Sequence, residues 1–159
     1  MKFPHSMLDL KDPLFAEGRD TLEIAAELIL LNVGEDPTRE GIERTPVRFA
    51  KAIREITSGY GLSAEEAIGE GVFPAEGPGL VSVRDIEFQS TCEHHLLPFF
   101  GKMNVAYYPN KKIVGLSKVP RLVNMFSRRL QVQERLTREV GESLHRLVDA
   151  RAVAVKATA

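Results

Sequence analysis

The chain has 159 residues, of which 43% are apolar and 27% charged, with a formal net charge of −1. That is the composition of an ordinary globular protein with a hydrophobic core, and it provides no basic face for nucleic acid. A single cysteine excludes an internal disulfide framework and suits a reducing, cytoplasmic setting. The longest apolar run, Leu28 to Leu31, is too short to cross a bilayer, and Met1 to His5 lacks the apolar stretch of a signal peptide. No membrane or nucleic-acid partner is therefore expected.

Residues 1–19 carry Pro4 and Pro13 without a sustained period and read as an N-terminal arm. From Asp20 to Val33, Leu22, Ala25, Ala26, Ile29 and Val33 recur on one helical face, and Gly34 is suited to stop it. A polar link beginning at Asp36-Pro37 leads to Thr45-Pro46, a cap followed by a first-turn proline. Phe49, Ile53 and Ile56 then line a second helix, which Gly59 and Gly61 close. Residues 62–79, rich in glycine toward their end, read as a connector that completes an N-terminal helical region over 20–79.

After Leu80 the period drops to two, the signature of strands. Val81 and Val83 alternate, and Ile86 and Phe88 alternate in the opposite phase, so a bulge is expected near Arg84-Asp85. Met103, Val105 and Tyr107 mark a second strand that turns at Pro109-Asn110, with Ile113 to Leu116 extending or following the hairpin. Ser117 is expected to cap a short helix carrying Val119, Leu122, Val123 and Phe126. Val132, Leu136, Val140, Leu144 and Leu147 outline a longer helix, and Val153, Val155 and Ala157 a final strand. The order predicts an α+β protein with an antiparallel sheet.

Three groups of residues could carry chemistry. Cys92-Glu93-His94-His95 joins the only cysteine to two of four histidines, and thiolate and imidazole are ligands that zinc favours. A buried cysteine beside two unrelated surface histidines is the plainer account. In extended backbone His94 and His95 would face opposite ways, leaving one for metal with Cys92 and one for acid–base work. Leu96, Leu97, Pro98, Phe99 and Phe100 could wall such a cleft off from water. Ser117-Lys118 with Arg121 could form an anion site at a helix start, although a cap with two solvated cations is the plainer account. Gln131-Val132-Gln133-Glu134-Arg135 reads first as the polar opening turn of a helix.

Taken together, order and spacing are more specific. Ser-Thr-Cys-Glu-His-His at 90–95, Gly-Leu-Ser-Lys at 115–118 with Arg121, and Gln-Val-Gln-Glu-Arg-Leu-Thr at 131–137 closely resemble the GTP cyclohydrolase I family. Thr45-Pro46-Val47-Arg48 and Pro98-Phe99-Phe100-Gly101-Lys102 join the resemblance, which runs from about residue 20 to 159.

The resemblance implies a role for each matched residue. Cys92 and His95 correspond to ligands of a catalytic Zn2+, and His94 to the proton carrier at the purine ring. Gln133 and Glu134 correspond to the guanine pocket, and Ser117 to a contact near the ribose. Lys118, Arg121 and Arg48 correspond to triphosphate-binding cations. The implied reaction opens the imidazole ring of GTP at C8 with zinc-activated water and releases formate. An Amadori-type rearrangement of the ribose and ring closure then give 7,8-dihydroneopterin triphosphate, the entry to folate and tetrahydropterins. The implied fold is the tunnelling fold (T-fold), an antiparallel sheet with two helices packed on it that forms the catalytic domain over 80–159. The implied assembly is a toroidal homodecamer with active sites between subunits.

The family pattern continues beyond the Val153–Ala157 strand to a second histidine, a cysteine as third zinc ligand and a further arginine, and the sequence stops at Ala159, before them. The expected T-fold is thus truncated in its C-terminal strands. An active cyclohydrolase, or a truncated non-catalytic paralogue or fragment that binds full-length subunits, are the two readings that formate release from GTP separates. Lacking the third ligand, the chain purified alone is expected to release no formate and to hold substoichiometric zinc.

Overall fold

A computed structural model describes residues 18–77 and 79–159, which fall into two compact units divided between Glu55 and Ile56. The arm expected over 1–19 lies, up to residue 17, outside the described residues.

The first unit holds α1 (Thr21–Asn32) and most of α2 (Thr45–Ile56). Asp20 caps α1 by accepting from the Leu22 N–H at 2.9 Å. Its other carboxylate oxygen takes a 2.7 Å bond from Arg54 on α2, so one side chain both starts a helix and ties it to its neighbour. Gly34 follows the α1 end with φ 88°, the left-handed turn expected of it. α2 starts one residue earlier than expected, at Thr45, with Pro46 still in the first turn, where its missing N–H costs nothing.

The second unit, 56–159, contains α3 (Ala64–Ile68), β1 (Val72–Pro74), β2 (Val81–Cys92), β3 (Pro98–Tyr108) and β4 (Lys112–Val114). α4 (Lys118–Ser127), β5 (Leu130–Gln131), α5 (Gln133–Val148) and β6 (Ala152–Thr158) complete it. The main sheet has the order β5-β2-β3-β6, and β1 pairs with β4 in a separate two-stranded ribbon. The β2–β3 and β3–β6 pairs are antiparallel, as expected. β5 is an unexpected parallel edge: two residues, Leu130 and Gln131, pair with Thr91 and Cys92. Strands that short carry no period of their own, which is why alternation did not reveal this one.

The reversal of phase inside β2 is a bulge. Register with β3 shifts between Val83 and Ile86, Asp85 takes φ 55°, and its N–H is satisfied by Asn104 Oδ1 at 2.8 Å. From Ile86 onward the strand turns Ile86, Phe88 and Ser90 to the buried face. There Ile86 and Phe88 meet Met103, Val105 and Tyr107 of β3 and the buried faces of α4 and α5 in one core. Leu136, Val140, Leu144 and Val148 of α5 have no accessible surface, and Leu122 and Val123 of α4 have none either. One sheet face and two amphipathic helices thus exclude water from each other.

The expected connector over 62–79 contains structure. Ser63 and Glu66 form a reciprocal capping box, so α3 is a helix of five residues, and its Ala64 and Ile68 are part of the core. Gly59 explains how the chain enters this region. Its N–H donates to Arg128 O at 2.9 Å, and a Cβ there would stand 2.0 Å from Met125 O. Only glycine allows the backbone so close to the end of α4.

Candidate active site

β2 ends at Cys92, and the chain then reverses tightly before β3 begins at Pro98. The reversal is closed by two backbone bonds of 2.8 Å, Leu96 N–H to Cys92 O and Cys92 N–H to Leu97 O. Leu96 takes φ 57° to close it. Residues 93–95 are therefore a turn rather than extended strand, which corrects the expectation that His94 and His95 face opposite ways. Their ring centres lie 6.2 Å apart with planes at 85°. The turn brings His95 back over Cys92, with Sγ 3.5 Å from Nδ1. His94 stays largely exposed, its Nε2 3.8 Å from Glu93 Oε1.

A thiolate and an imidazole nitrogen this close can share one metal ion. Among the described residues no group of three or more His, Cys, Asp or Glu side chains converges, so Cys92 and His95 are a pair of donors.

The first turn of α5 lies beside this pair. Cys92 is in register with Gln131 across the short parallel bridge, and the Glu93 N–H donates to Gln131 O at 3.1 Å. Gln133 and Glu134, two and three residues on, open α5 at the same end of the sheet. Arg135 donates to the Glu93 carboxylate, to Gln131 Oε1 and to Leu130 O, the last two at 2.9 Å. This guanidinium holds the Glu93 carboxyl below its usual pKa, and the pairing raises Arg135 in turn. A cavity of about 370 Å³ adjoins the network, lined by Tyr60, Glu93, Arg129, Gln131, Arg135 and Glu139 among others.

The second predicted group is elsewhere. Ser117, Lys118 and Arg121 stand at the first turn of α4, whereas the residues just past its other end, Leu130 and Gln131, pair with Thr91 and Cys92. α4 has 10 residues, and at 1.5 Å per residue it separates its two ends by about 15 Å. The loop leading into α4 is fixed at the far end of the hairpin. There Tyr107, the partner of Val81, accepts the Val114 N–H on its hydroxyl at 3.0 Å. One chain therefore does not gather the cations of α4 around Cys92. Ser117 is also not a side-chain cap: its backbone is already helical at φ −67°, ψ −14°, and its hydroxyl makes no capping bond. Arg48 is an exposed residue of α2, in the first unit.

The expected apolar wall is open within the chain. Leu96, Leu97 and Phe100 are 63%, 64% and 74% exposed. Phe99 alone among the aromatic pair turns inward, meeting Phe88 edge-on with ring centres 6.1 Å apart. Sequence reasoning gave Arg135 and Gln131 no role. No local signal marks the pairing: Arg135 reaches Glu93, 42 positions away, while Glu139, one helical turn on, accepts instead from the Gln131 amide.

A long bulged hairpin, two helices packed across it and a further antiparallel strand define a T-fold protein, with a Cys–His pair at one end of its sheet. The family model described as GTP cyclohydrolase I matches residues 22–159. Among curated relatives, GTP cyclohydrolase 1 of Deinococcus radiodurans is 49% identical over 146 residues, 92% of this chain and 68% of that protein. GTP cyclohydrolase 1 of Gloeobacter violaceus is 51% identical over 138 residues, 87% and 64% of the two chains. The Campylobacter jejuni protein of the same name is 52% identical over 133 residues, 84% and 70%. The chain belongs to the GTP cyclohydrolase I family, a family of hydrolytic enzymes. It spans about two thirds of the length of these relatives. No helix among the described residues is long and apolar enough to cross a membrane.

Proposed function

We propose that this chain carries the metal and base-binding parts of a zinc-dependent GTP cyclohydrolase I, converting GTP and water to 7,8-dihydroneopterin triphosphate and formate. The observation that carries this reading is the 3.5 Å separation of Cys92 Sγ and His95 Nδ1. Bonds of about 2.3 Å to sulfur and about 2.05 Å to nitrogen at a tetrahedral angle put the two donors about 3.6 Å apart. The pair therefore fits one edge of a tetrahedral zinc site. Zinc held there supplies a water activated near neutral pH.

The chain's own side chains account for the remaining demands of the reaction. The exposed imidazole of His94 adjoins the metal pair and can deliver or remove protons at the opening purine ring. Glu134 offers an exposed carboxylate to the donor edge of guanine, and Gln133 an amide beside it, both at the start of α5. Lys118 and Arg121 match the charge of a triphosphate, with Ser117 next to Lys118 for the ribose, and Arg48 is proposed as a further cation for the same group.

The separation of these groups along α4 supports a site built from two copies, one bringing Cys92, His94 and His95, another bringing Lys118 and Arg121. The exposed Leu96, Leu97 and Phe100 support the same view, since a neighbouring subunit would cover them. A toroidal homodecamer is the arrangement proposed, with a cytoplasmic location and the product leading to folate or tetrahydropterins. The test is to incubate the zinc-loaded protein with GTP and measure formate and, after oxidation, neopterin fluorescence. Because the chain belongs to this enzyme family, turnover that disappears in Cys92→Ser is expected, in place of the inactivity expected from the sequence. No formate, or formate release indifferent to Cys92, overturns the proposal.

A further inference from the structure

The turn that carries the metal pair is tied to the protein by its ends, while His94, Leu96 and Leu97 project outward. Glu93 is the turn side chain that reaches back, and what it reaches is Arg135. The guanidinium is itself held from two further directions, by the Leu130 carbonyl and by the side-chain oxygen of Gln131. Gln131 is 1% exposed, and its amide nitrogen is committed to Phe126 O at 3.1 Å and Glu139 Oε2 at 2.8 Å. A chain of fixed hydrogen bonds thus runs from the buried end of α4 through Gln131 and Arg135 to the carboxylate next to Cys92.

An exposed ion pair by itself contributes little to stability. This one differs because its cation has no freedom left. A planar fork with three assigned acceptors has one orientation, a property lysine does not share. Leu96, a non-glycine residue at φ 57°, persists in such a conformation only when its surroundings hold it there.

We infer that Arg135 is a positioning residue for the metal turn, acting through Glu93 to hold Cys92 and His95 at ligating separation. The inference rests on the reading of Cys92 and His95 as metal ligands. It gives the arginine of the 131–135 segment a purpose distinct from base recognition by its neighbours.

The test is a titration of the full chain with cobalt(II), reading the thiolate-to-cobalt charge-transfer absorption, with the thermal melt followed by circular dichroism. Arg135→Ala is expected to weaken cobalt binding about 10- to 100-fold, the usual loss when a group that orients a ligand is removed. Glu93→Ala should lose as much, and the double variant no more than either alone. Arg135→Lys should not restore the affinity. A wild-type band that vanishes in Cys92→Ser, together with unchanged affinity in Arg135→Ala, overturns the positioning role and leaves the metal reading intact. Loss in Glu93→Ala with none in Arg135→Ala also overturns it, because Glu93 would then be a ligand. Absence of any Cys92-dependent band overturns the metal reading and the inference with it. Should Arg135→Ala not fold, Glu93→Ala decides, since it leaves Arg135 with its two other acceptors: unchanged cobalt affinity there refutes the role.

Discussion

Cys92 and His95 are three positions apart, and in a strand their side chains would point to opposite faces of the sheet. They meet because β2 ends at Cys92 and the backbone turns there, with the Leu96 N–H returning to the Cys92 carbonyl at 2.8 Å. His94, on the same turn, is left out of that pair. Two different losses follow from substitution. Cys92→Ser should remove bound zinc and turnover together, as measured by metal analysis and formate release. His94→Gln should keep its zinc and lose kcat by about 10²- to 10⁴-fold, the range for removing a positioned acid–base group. Equal zinc loss in both variants would show that His94 ligates. The cluster itself was legible in the sequence because its residues are adjacent. The partnership of Glu93 with Arg135 was not, because the two are 42 positions apart and only folding brings them together.

At the scale of elements, the long periodic segments were readable. Leu136, Val140 and Leu144 recur at helical spacing and are completely buried in α5. Replacing Leu144 with Ala should therefore cost about 2–5 kcal/mol, measurable by urea unfolding. The short elements α3, β1 and β5 escaped: they span two to five residues each, fewer than a period needs to show itself. α3 had nevertheless announced itself locally through Ser63 and Glu66. The Ser63 backbone N–H and hydroxyl, both donating to Glu66, hold that carboxyl below its ordinary pKa. A lowered folded-state pKa means that the folded protein binds fewer protons, so the stabilisation is full above the unfolded value. It is lost as pH falls through the folded one. The difference in Tm between wild type and Glu66→Gln should accordingly be largest near neutrality and shrink as the pH drops below about 4.3. A difference that stays constant down to pH 3 would discount the carboxylate.

For the whole molecule, the spacing of chemistry matters more than its inventory. Lys118 and Arg121 lie at one end of α4 and the Cys92 turn beyond the other, which is why the site proposed above draws on two copies. Complementation is the measurable consequence. Cys92→Ser and Lys118→Ala should each be inactive alone, and subunits of the two dissociated and reassembled together should recover part of the formate release. No recovery in a mixed assembly verified by native mass spectrometry would place all the groups in one chain. The sequence by itself determined the family, the α+β order and the identity of the chemically capable residues. These depend on adjacent residues and on periodic apolar patterns, which are local properties of the chain. Only the tertiary structure decided which of those residues meet. It set His95 against Cys92 through a turn, joined Arg135 to Glu93 across the parallel bridge, and left Lys118 and Arg121 a helix length away. Contacts between distant positions follow from which surfaces the core brings together, and no local pattern encodes them.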